Sequence, residues 1–92
     1  KGAELRWANC TKANLVAADL TRARLMNADL TEADLSESKL GKVDLSDANL
    51  AGANLTKADL SEAKLINVDF SGATLRWASL TGSMPPCSIA CS

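Results

Sequence analysis

The sequence predicts an all-β solenoid, a narrow coil of short extended pieces and turns rather than a packed globule. Three observations predict it. An apolar residue recurs at every fifth position from Leu5 to Leu80, a small residue stands two places before each, and Asp, Asn, Ser and Thr crowd the places around them. A period of five fits neither regular element. On an α-helix five residues advance about 500°, so the apolar positions drift round the whole cylinder instead of forming a stripe. On a straight strand an odd period throws successive centres onto opposite faces.

The five positions of the unit each have a physical reason. The centre is Leu at fourteen of sixteen units, with Cys10 and Phe70 filling the other two, which sets an apolar column. The place two before it is Ala in thirteen units, with Ser38, Val43 and Val68 as exceptions, and shares the centre's strand face. The place directly before the centre is Asp or Asn in ten units, and the place after it is Ser or Thr in nine. These side chains bond nearby backbone groups and so favour turns. The last place ranges over Trp7, Lys12, Glu32, Gly52 and Asn67 and reads as free.

The pattern closes if the backbone turns after every unit, so that centre and small residue point inward each time. Stacked coils then pair backbone to backbone at ~4.8 Å. Three-sided and four-sided coils both satisfy the period. Gly52 and Gly72, twenty residues apart at one unit position, favour four sides and a coil of 20 residues. The interior is expected to hold Leu15, Leu35, Leu55 and Leu75 in one column and Cys10, Leu30, Leu50 and Phe70 in another, each buried Leu contributing about 1.5 to 3 kcal/mol.

Runs such as Ala28-Asp29-Leu30-Thr31-Glu32, Ala53-Asn54-Leu55-Thr56-Lys57 and Ala58-Asp59-Leu60-Ser61-Glu62 resemble the pentapeptide repeat family over residues 1–82. The resemblance implies a right-handed quadrilateral parallel β-helix, here of about four coils of 20 residues. It also implies a source in bacterial cytoplasm or periplasm or in the chloroplast thylakoid lumen. Some members of that family imitate a DNA duplex and protect DNA gyrase from quinolones.

Composition restricts function further. Ten Lys and Arg against eleven Asp and Glu leave a net charge of −1, which predicts neither nucleic acid nor membrane as a partner. DNA mimicry needs a long, predominantly acidic surface, whereas every face of this coil mixes signs. It therefore ranks below a non-catalytic module that binds a protein partner. The chain contains no His, so its many Ser and Thr have no imidazole to activate them, and no enzyme is expected. No cofactor and no metal are expected either. Trp7, Met26 and Ile66 share outward places on one face and Trp77 stands on another, which makes these four the candidate partner surface.

Residues 83–92 leave the repeat. Pro85, Pro86 and Ile89 suit a cap over the last coil, and Cys87 and Cys91 suit packing there or a disulfide, since a zinc pair lacks two further ligands. Lys1 is already in repeat phase, so the sequence reads as part of a longer protein. The N-terminal coil end, for which nothing in the sequence offers a cover, is the expected place for a homodimer contact or for preceding coils.

Overall fold

A computed structural model of the chain describes residues 2–83. The expected cap, with Cys87 and Cys91, lies outside the described residues. Within them, the chain turns once per unit. The N–H of the small residue donates to the carbonyl of the centre three places earlier, as from Ala8 to Leu5 at 3.1 Å, Ala33 to Leu30 at 3.0 Å and Ser83 to Leu80 at 3.0 Å. The third residue of each such turn has a positive φ, from 58° at Glu32 to 71° at Gly82. That bond with that φ is the signature of a type II turn.

The last unit position is therefore not free, as the variety of its side chains suggests. Its chemistry varies, but its backbone is held in the left-handed region, where an L-residue costs about 1 to 2 kcal/mol relative to the right-handed one. Gly occupies four of these places and Asn two, while Trp7, Lys12, Glu37 and Trp77 are among those that bear the strain.

Parallel bridges join residues twenty apart: Glu4 to Arg24, Arg24 to Asp44, Asp44 to Lys64, and so on through Asp59 to Ser79. Four turns separate the members of each pair. Among the described residues every pairing is a single-residue bridge, because a turn follows before a longer ladder can form.

The backbone donors of one unit are all accounted for, as burial in a narrow coil requires. In the unit around Leu30, Leu30 donates to Asn49 at 2.7 Å and Glu32 to Ala51 at 2.8 Å on the following coil. Asp29 donates to Ala8 at 2.9 Å on the preceding coil, and Ala33 closes the turn. The remaining N–H, of Thr31, donates to the Asp29 carboxylate at 3.0 Å. Where Asp or Asn stands before the centre, it is thus a structural acceptor for the one donor that coil stacking leaves over.

The interior is a column of Leu faced by Ala. Leu30, Leu35, Leu50 and Leu55 are fully buried. Leu15, Cys10, Phe70 and Leu75, also expected inside, point into the same interior but are only partly buried, since they sit in the first and last levels of the stack. Cys10 takes a Leu place as a free thiol.

Candidate interaction surface

Two kinds of outward residue follow from this backbone. The Asp or Asn before each centre lies on a flat side, pinned to its own turn. The left-handed residues stand at the corners, where their side chains project furthest from the coil.

The pinned acids are chemically occupied. Asp29, Asp34, Asp59 and Asp69 all have carboxyls held below their ordinary value of 3.8, chiefly because the hydroxyl of Thr31, Ser36, Ser61 or Ser71 donates to them and secondarily because the backbone N–H of the same residue does. Their oxygens serve the turn rather than a ligand. Among the described residues no group of His, Cys, Asp and Glu is arranged to hold a metal ion.

The corners carry the exposed apolar groups. Trp7 is 75% exposed and Trp77 72%, and both have the left-handed φ. Lys57, one coil before Trp77 in its column, places Nζ 5.8 Å from the ring centroid, and the Arg76 guanidinium lies 5.4 Å from it. Ile66 is 51% exposed. Met26, expected on the surface beside Trp7 and Ile66, is half-buried and does not extend that patch. Val16, 45% exposed, is an exposed apolar residue beyond the four that sequence patterning singles out.

Charges in stacked columns alternate in sign. Glu4, Arg24, Asp44 and Lys64 form one alternating column, with Glu4 also 2.8 Å from Arg6 and 3.6 Å from Arg24. Asp19, Lys39 and Asp59 form another. At the corners Lys12 faces Glu32 at 3.9 Å, and Glu37 stands below Lys57. Where acids share a column, as Asp29 and Asp69 do, Asn49 separates them. Opposite charges one coil apart attract at ~4.8 Å and like charges would repel.

One corner departs from this order. Arg22, Arg24, Lys42, Asp44, Glu62 and Lys64 line a groove of about 290 Å³ with buried Ala23 in its floor. Sorting residues by flat side hides this groove, because it spans the edge where two sides meet.

The comparisons with known proteins agree with this geometry. The sequence profile described as Pentapeptide repeats matches residues 3–41 and 44–82 in eight copies. The chain belongs to the pentapeptide repeat family. A solved pentapeptide repeat protein from Nostoc Pcc 7120 is 36% identical with a TM-score of 0.82, over 84% of this chain and 64% of that one. A second, from the Arabidopsis thaliana thylakoid lumen, is 27% identical with a TM-score of 0.76, over 90% of this chain and 61% of that one. No curated protein matches the chain. The pentapeptide repeat therefore folds as a repeat β-helix, and this chain spans about three fifths of the length of its solved relatives.

Proposed function

We propose that this pentapeptide repeat is a non-catalytic interaction module, a right-handed quadrilateral β-helix of about four coils whose corners meet a protein partner. Kinship with the solved relatives supports the handedness, and the twenty-residue register of the bridges supports a coil of four units. The observation that carries the reading is the exposure of two Trp at strained, left-handed corners. Trp is the residue type that most often anchors an interface, and nothing in the coil's own packing requires it there.

The best-supported partner surface is Trp77 with its two flanking cations; Trp7 and Ile66 lie at the opposite corner and form a separate candidate surface. Neither nucleic acid nor membrane suits a chain of net charge −1. The half-exposed first level, with Leu5, Cys10, Leu15 and Leu20, offers a second route, a homodimer through a coil end. The relatives' sources favour a cyanobacterial or thylakoid-lumen setting.

Mimicry of DNA is the less favoured reading. A duplex presents one charge per ~1.7 Å of axis, whereas these columns alternate in sign and their field is screened beyond about 8 to 10 Å at physiological salt. The test of the main reading is affinity capture by the full-length protein, wild type against Trp7→Ala and Trp77→Ala. Loss of a stoichiometric partner in either variant is expected; capture that is identical in all three overturns the assigned surface. Gyrase supercoiling in the presence of a quinolone tests the other, and rescue at micromolar protein would reverse the ranking.

A further inference from the structure

We propose that the corner groove between Arg22 and Arg24 is a binding site for a phosphate-class dianion. Arg22 is the place where the charge order of the coil fails. Along its column its neighbour is Lys42, and across the groove, two residues on, it faces Arg24. Every other pair of charged residues stacked one coil apart among the described residues has opposite signs. Repulsion at this spacing is a standing cost that a single neutral side chain would remove. A local rule broken in one place, and there alone, marks a site where something other than folding is served.

The groove has the chemistry to repay that cost. Its lining carries four cations, Arg22, Arg24, Lys42 and Lys64, against two anions, Asp44 and Glu62, which leaves +2 on a chain whose total is −1. Arg24 shares Glu4 with Arg6, while Arg22 and Lys42 are in no ion pair among the described residues. Ala23 is fully buried between the two arginines, so their stems leave the backbone on the same outward side and reach over a common floor. Lys42 stands one coil, about 4.8 Å, along the column from Arg22.

A phosphate monoester carries about −1.5 to −2 charges at neutral pH and three acceptor oxygens. Two guanidiniums supply paired donors in a planar fork, and an ammonium adds a point charge from a third direction. A carboxylate would leave one positive charge uncompensated. A groove of about 290 Å³, at the low end of ligand-pocket sizes, has room for a phosphate group. The dianion is either free inorganic phosphate or the phosphorylated side chain of a partner protein, and both offer the groove the same oxygens.

The test is a titration of the ¹⁵N-labelled chain at low ionic strength, first with inorganic phosphate and separately with a phosphoseryl peptide and its unphosphorylated form. Saturable shifts are expected at the Arg22 and Arg24 side-chain Nε and at the amides of residues 22–24 and 42–44. Affinity should fall at least tenfold in Arg22→Gln and in Lys42→Gln and stay unchanged in Lys12→Gln, at the opposite corner. Arg22→Gln should also melt higher than wild type at low salt, since it removes the like-charge contact, whereas Lys42→Gln also removes the opposite-charge neighbour of Glu62 and should melt close to wild type. That second readout separates lost binding from lost folding. Tighter binding of the phosphopeptide than of inorganic phosphate assigns the partner protein as the source, and the reverse assigns the free ion. Shifts that do not saturate, that are as large around Lys12, or that persist in Arg22→Gln overturn the proposal.

Discussion

Ser38 holds an interior place that is Ala in most units, and its Oγ is fully buried without a hydrogen-bond partner. A hydroxyl buried unpaired costs about 1 to 3 kcal/mol on mutational scales. Ser38→Ala is therefore expected to stabilise the coil by about 1 kcal/mol, read as a higher urea midpoint at unchanged slope; a lower midpoint would mean that the hydroxyl has found a partner. The glycines make a sharper pair. Gly52 has a φ of +70° and a Cβ added there meets Glu32 Cγ at 3.2 Å, whereas a Cβ on Gly41 meets only the Ser61 carbonyl oxygen, at 3.8 Å. Gly52→Ala should cost about 1 kcal/mol and Gly41→Ala should gain up to about 1 kcal/mol through the unfolded chain. Equal effects of the two would remove the left-handed corner from the account.

At the scale of the five-residue unit, most of the architecture was legible in the sequence, because each inward place tolerates few residue types. Leu at the centre and Ala two before it expose the interior directly, and Asp or Asn before the centre exposes the acceptor that the spare N–H needs. The left-handed corner was harder to read, since its signal is an absence. No Val, Ile, Thr or Pro occupies the last place in any of the sixteen units, which is what a positive φ demands of varied side chains. The charged groove was not legible from faces at all, because Arg22 and Arg24 belong to successive units and meet only across a corner. Depth within the stack was likewise invisible to a repeat in which every Leu looks alike. Leu55 is fully buried between coils while Leu15 is only partly so. Leu55→Ala should cost about 2 to 5 kcal/mol and Leu15→Ala distinctly less, as measured by denaturant unfolding; equal costs would contradict the difference in packing.

Across the whole molecule, stability is the sum of contacts between adjacent coils, so any term repeated at many turns is multiplied. The acceptor carboxylates are such a term. Asp29, Asp34, Asp59 and Asp69 are held below their ordinary value of 3.8 by hydroxyl and backbone donors that exist only in the folded turn. Because the folded state binds these protons less readily than the unfolded chain, their contribution is complete above pH 3.8 and is lost as pH falls through the lower folded values. Melting temperature should therefore hold steady from neutral pH down to that point and decline below it. Replacing the four by Asn keeps an acceptor for each backbone N–H, as Asn49 and Asn54 already show at 3.0 Å, but removes the ionisable group. The fourfold variant should start from a lower melting temperature at neutral pH and show a flatter acid limb, with the two profiles converging as pH drops. Parallel profiles would place the acid sensitivity elsewhere in the coil.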